Sequence, residues 1–342
     1  MKNTFKKRGF ELLVISFLFT LLIFSEETMA LASKGLLIWY QKMIPSLFPF
    51  MVLSGFLVKS GLANRFSGLL RPVLGLLFPL SGSMLYAIFM GFLCGFPMGA
   101  KVVADLLESG QINGKQGQYL LAFCNNIGPL YMLGYVLPLF KVENMTLMLL
   151  IMYGVPLIYG SVLQHLPCYK KNLSFRKEAL YPLPGGKHSS TIRSSGKQYP
   201  PSSPNYLTSF REALENALTQ ITLLGGCMVF FNCLQIYPGM MRWIFPLELQ
   251  EFYQQYLYAP LCCLMEIGGG LKIMAEQVGN NMHPDRLAIT SSLFLSFVTF
   301  GGLSCIMQTL FILKSTGLSV GNYLKHKLLQ TLLVLMLSFL CC

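Results

Sequence analysis

Gly95-Phe96-Pro97-Met98-Gly99-Ala100-Lys101-Val102-Val103-Ala104-Asp105 interrupts a long apolar run with glycines, a proline and a charged pair. The stretch has a counterpart at Glu266-Ile267-Gly268-Gly269-Gly270-Leu271-Lys272-Ile273-Met274-Ala275-Glu276. Aligned on Lys101 and Lys272, both read glycine, any residue, lysine, two apolar residues, alanine, acid. Each copy directly follows a helix-breaking element. Further along each half a second break cuts an apolar span, at Cys124-Asn125-Asn126-Ile127-Gly128-Pro129 and at Phe300-Gly301-Gly302-Leu303-Ser304. Internal repeats of this kind describe the architecture before any single motif does.

What surrounds these breaks fixes the class. The chain has 342 residues, 54% of them hydrophobic and only 12% charged. Average soluble chains carry about 25% charged residues, so this one lacks the charge to cover a water-facing surface. Apolar stretches reach the ~20 residues a helix needs to cross the hydrocarbon core. The short alternating segments of a β-barrel are absent. The expected fold is all-α: a polytopic integral membrane protein of about eight to ten transmembrane helices in two related halves, with broken or re-entrant helices.

The net charge of +12 would suggest nucleic acid if it were spread over a surface. It is not. Lys2, Lys6, Lys7 and Arg8 contribute +4, and residues 167–211 contribute +7 from eight basic residues against Glu178. Basic loops flanking apolar spans set orientation by the positive-inside rule. Both segments are therefore read as cytoplasmic, with no nucleic-acid partner. The ten cysteines form no CxxC pair, and His165, His188, His283 and His326 show no ligand spacing, so no metal and no cofactor are expected. The basic start, the apolar run Leu12–Phe24 and Ala30 resemble a signal peptide; in a chain with many later spans they read as an uncleaved first helix.

Three segments follow. Residues 1–166 form a first membrane half, with its repeat around 84–140. Residues 167–208, containing PLPGG, SSTIRSSGK and PPSSP, have the composition of a disordered basic linker. Residues 209–342 form a second half, with its repeat around 256–313. The piece 68–80 is too short to cross and reads as interfacial, or as half of a re-entrant pair with the segment after Ser81.

Broken backbone at membrane depth survives only where protein buries it or a cavity lines it. The exposed N–H and carbonyl ends of such helices bind anionic and cationic groups, and matching breaks in two halves point to a transporter's site. Lys101 and Lys272 would add positive charge there, which suits an anionic solute. Two other readings stand beside this one. Lys101 with Asp105, and Lys272 with Glu276, are also i,i+4 ion pairs; Pro97 and Pro129 can be kinks and the triple glycine a packing device. Glu266, an acid inside an apolar stretch, is a proton or cation coupling site or a partner for Lys272. Asn125 and Asn126 bind solute or cap the broken helix.

The runs GFPMGAKVVADLLESGQI (95–112), CNNIGPLYMLG (124–134), MEIGGGLKI (265–273) and FGGLSCIMQTL (300–310) resemble the YlbJ-like sporulation integral membrane proteins, a group within the nucleoside-recognition (Gate) domain family. The resemblance implies a bacterial multi-pass membrane protein of endospore formers. It implies transport of dipicolinate, a small dianionic aromatic acid, across the outer forespore membrane. It carries over Gly95, Pro97, Gly99, Lys101, Asn125, Asn126, Pro129, Glu266, Gly270, Lys272, Gly301, Gly302, Ser304 and Gln308 as substrate-binding positions. A nucleoside transporter and a non-transporting scaffold for spore formation are the alternatives. No HExxH, GxSxG or GxxxxGK[ST] signature supports an enzyme.

Overall fold

A computed structural model describes residues 2–140, 144–167, 169, 205–278 and 284–341. The expected linker falls almost entirely on 168 and 170–204, outside the described residues. The described chain is helical, with no strand. Helix α1 (Lys2–Ile23) leads into α2 (Ser25–Lys59), which contains a π-helical turn at Trp39–Met43. After α3 (Ala63–Leu77) come α4 (Gly82–Cys94), α5 (Met98–Glu108), α6 (Gly114–Leu121), α7 (Pro129–Phe140) and α8 (Met145–Leu163). The second half holds α9 (Tyr206–Cys233), α10 (Tyr258–Met265), α11 (Ile267–Val278), α12 (Pro284–Phe300), α13 (Gly302–Leu313) and α14 (Val320–Cys341).

Among the described residues five helical segments are long and apolar enough to cross a membrane, or six if one bent pair counts as a single span. That is fewer than the eight to ten crossings expected from the sequence. The physical reason is visible at the breaks. Apolar stretches near 84–104 and 256–276 are each cut into two shorter helices, α4 with α5 and α10 with α11. The bent pair is α3 with α4, turned by 86° across the break before Gly82. The 68–80 piece thus pairs with the segment after Ser81. Leu69, Val73 and Leu76 on α3 are exposed, as are Leu332, Met336 and Leu340 on α14. Apolar side chains on outward faces are at home against lipid.

The two sequence halves interlock. Helix α9 packs along α2, α13 packs on α5, and both α8 and α12 pack on α14. Trp39 donates its indole N–H to the carbonyl of Ile221 at 2.9 Å, fixing α2 against α9. At the end of the same pair Lys59 meets Glu212 at 2.6 Å. These contacts bring the four breaks together.

Candidate functional site at four converging helix breaks

The first break separates α4 from α5. Gly95 adopts φ +85°, where an L side chain is strained, and a Cβ there would run into the backbone of Gly128. The second break, Cys124–Gly128, therefore lies directly on the first. In the other half Gly301 and Gly302 both have positive φ, and a Cβ on Gly302 would sit 2.8 Å from the carbonyl oxygen of Cys263. The fourth break thus rests on the third. Gly301 in turn faces the ring of Phe96, which joins the two pairs.

All four breaks line one cavity. Cys94 and Phe96 come from the first, Ile127 and Gly128 from the second, Glu266 and Ile267 from the third, and Gly301 from the fourth. Its volume is about 30 Å³, enough for a water or two.

The free helix ends around it are satisfied by buried polar side chains, as backbone away from water requires. Glu266, buried, is the N-cap of α11: its carboxylate accepts from Gly268 N–H at 3.0 Å, Gly269 N–H at 2.6 Å and the Asn232 amide at 3.1 Å. A helix N-terminus favours an anion, and here the protein supplies its own. Gln235 donates to the carbonyls of Cys262 and Glu266 at the end of α10. Asn125 accepts from Ala100 N–H at 3.3 Å, in the first turn of α5, and donates to Thr309 Oγ1 and Tyr323 Oη at 3.1 and 3.0 Å. Gln330 donates to the carbonyl of Ala122 at 2.6 Å.

One polar group on the cavity wall is left over. The Tyr131 hydroxyl is buried and has no hydrogen-bond partner in the structure. A Cβ on Gly268 would lie 3.0 Å from this hydroxyl and 3.3 Å from both Glu266 oxygens. Hydroxyl and carboxylate therefore border the same gap.

The positions singled out in the sequence are placed as follows. Glu266, Gly301 and Gln308 line the cavity. Gln308 also donates to Ser304 Oγ at 3.1 Å, one turn earlier on α13. Gly95 and Gly302 hold the breaks, Pro97 is the N-cap of α5, and Pro129 opens α7. Asn125 and Asn126 are buried behind the cavity wall. Gly99 packs on the backbone of Cys124 and Gly270 on that of Cys263, so the repeated glycine serves close approach in both halves, to different partners.

The two repeated lysines part company. Lys101 is half-buried and paired with Asp105. Lys272 is exposed, and no ion pair joins it to Glu276. Neither lines the cavity. The deeply buried lysine is instead Lys327 on α14. Its ammonium donates to the carbonyl of Asn125 at 2.7 Å and to Asn126 Oδ1 at 3.0 Å, and sits 4.5 Å from the centroid of the Phe96 ring. In the sequence it belongs to Lys325-His326-Lys327, which has the look of a basic helix end at the membrane surface. Only its place in a 22-residue helix apolar enough to cross a membrane hinted at depth.

These features define an integral membrane protein whose broken helices meet at a buried cavity. Residues 40–162 match the family model described as nucleoside recognition, the Gate domain. The chain is similar to the sporulation integral membrane protein YlbJ of Bacillus subtilis (strain 168), with 36% identity over 106 residues. That match covers 31% of this chain and 26% of the relative, about a quarter of its length. Both comparisons bear out the resemblance, the family model over the stretch that holds the motifs at 95–112 and 124–134, and neither points to an enzyme family. No solved structure matches.

Proposed function

We propose that the protein is a membrane transporter of a small anionic solute, with the four-break cavity as its binding site. The carrying observation is the convergence of all four breaks on one buried cavity that also holds a carboxylate. A protein that only had to span the membrane would gain nothing from cutting helices and rebuilding their ends with Asn125, Gln235, Glu266 and Gln330. The solute proposed is dipicolinate, and the membrane the outer forespore membrane. Similarity to a sporulation integral membrane protein supports a role in sporulation; the solute and the membrane are those that the motif resemblance implies.

A cavity of about 30 Å³ does not admit an aromatic diacid. Binding therefore requires the helices around the breaks to separate, which suits alternating access between packed halves. Glu266 is the coupling group in this reading. An anion entering beside a buried carboxylate meets repulsion unless that carboxylate takes up a proton or a cation.

Nucleoside transport is the second reading, favoured by the family description and by a lining that is mostly apolar. Uptake into liposomes separates the two. Labelled dipicolinate and a labelled nucleoside are offered with and without a proton gradient. Dipicolinate uptake that rises with the gradient supports the proposal; nucleoside uptake alone transfers the site to the second reading. Uptake of neither by folded protein rules out both and leaves a scaffold role.

A further inference from the structure

Lys327 is not accounted for by capping alone. It is buried to 2% exposure, yet no carboxylate among the described residues lies within ion-pair distance of it. The ion pairs among the described residues are Lys59–Glu212, Lys101–Asp105 and Arg211–Glu215, all at least partly exposed. An ammonium has three N–H donors. Two go to neutral oxygens, those of Asn125 and Asn126, and the Phe96 ring lies against the same ammonium. A charge taken out of water and matched only with dipoles and a ring is underpaired.

The position of the ring matters. Phe96 lines the cavity, and Lys327 sits over that same ring. Phe96 belongs to the first break, one residue after Gly95, and its edge lies against Gly301 of the fourth. It is therefore held between two positive-φ glycines, with the cavity on its surface and the cation against it.

We propose that Lys327 is the anion-binding residue of the site, and that Phe96 is a gate over it. When the ring swings aside, the ammonium faces the cavity and exchanges its weakest contact, the ring, for a carboxylate of the solute. The class of ligand is a small carboxylate-bearing molecule. Lys101 and Lys272 then have no direct part in charge recognition. This assignment rests on the transporter reading but goes further: it names the group that distinguishes a carboxylate from its neutral analogue. Glu266, the one carboxylate among the cavity-lining residues, opposes the anion and so sharpens the requirement for Lys327.

The test measures equilibrium binding to the purified full chain in detergent. The probes are pyridine-2,6-dicarboxylate, its neutral diamide and a nucleoside. Wild type is expected to prefer the dicarboxylate over the diamide by about tenfold, the factor that follows from one charge-assisted contact. K327Q should lose that preference and K327R should keep it. A folded K327Q that still prefers the dicarboxylate overturns the assignment while leaving the transporter reading intact. Wild type that binds the nucleoside or the diamide but not the dicarboxylate overturns the assignment together with the anionic-solute reading. Binding of no probe at all removes the transporter reading, and the assignment with it. If K327Q does not fold, F96A carries the test: dicarboxylate association should speed up several-fold, and an unchanged rate overturns the gate.

Discussion

Tyr135, at the end of the first-half breaks, donates its hydroxyl to the carbonyl of Gly268 in the second half at 2.9 Å. Both groups are buried. The bond ties α7 to the first turn of α11, the same turn that Glu266 caps. Its removal in Tyr135→Phe is expected to cost about 1 kcal/mol, the net worth of such a bond. The change adds no volume, so thermal unfolding in detergent should shift downward by a few degrees while the spectroscopic helix content stays put. An unchanged melting temperature would mean that the halves are held together elsewhere.

Asn125 ties three helices through one side chain, reaching Ala100, Thr309 and Tyr323. Asn125→Ala leaves all three partners short of a bond in a buried site. The expected loss is about 3 kcal/mol, from about 1 kcal/mol for each partner. Thr309→Val, which removes one of the three links of the amide and the hydroxyl's bond to the Cys305 carbonyl, should cost less than that. Comparing the two melting shifts tests whether the amide acts as a shared node; equal shifts would refute it.

Two glycines with the same backbone sign separate strain from packing. Gly61 has φ +73° and open space where a Cβ would go, whereas Gly95 has φ +85° and meets Gly128. Gly61→Ala should cost about 1–2 kcal/mol from the left-handed conformation alone. Gly95→Ala adds a backbone clash and should sharply lower the yield of folded protein. Size-exclusion profiles in detergent report the difference, and similar profiles for the two variants would contradict the packing of one break on the other.

Glu266 has a structural and a proposed coupling role, and Glu266→Gln separates them. The amide keeps one accepting oxygen but turns its NH2 toward an N–H that the other carboxylate oxygen accepted, a lost bond of about 1 kcal/mol or more. It also loses the negative charge at the α11 N-terminus, worth about 0.3–1 kcal/mol and up to about 2 when partly buried. A modest fall in melting temperature is expected. In liposomes the variant should exchange solute across the membrane without responding to a proton gradient. Gradient-driven uptake as strong as wild type would exclude Glu266 as the coupling group.

Much of the fold was legible in the chain. The shortage of charge, the length of the apolar runs and the placement of the basic clusters settle a helical membrane protein, because lipid accepts no other surface. The breaks at Gly95, Asn125, Glu266 and Gly301 were equally local, since glycine, proline and an acid in an apolar run signal themselves. The count of crossings was not legible. A half-length helix and a full span have the same composition, and only the bend between α3 and α4, or the turn at Glu266, tells them apart.

The sequence by itself thus determined that this protein lives in a membrane and carries four interruptions in two matched halves. Tertiary structure decided which charges belong to those interruptions. Lys101 and Lys272 hold matching places in the repeat, yet one pairs with Asp105 and the other faces outward. Lys327, outside the repeat and about 200 residues from Asn125, is the cation that reaches the breaks. The reason is physical: a break is a property of neighbours along the chain, whereas the burial of a charge depends on which distant helix packs over it. That packing also left the Tyr131 hydroxyl and the Glu266 carboxylate around one gap, with Phe96 touching both the cavity and the lysine.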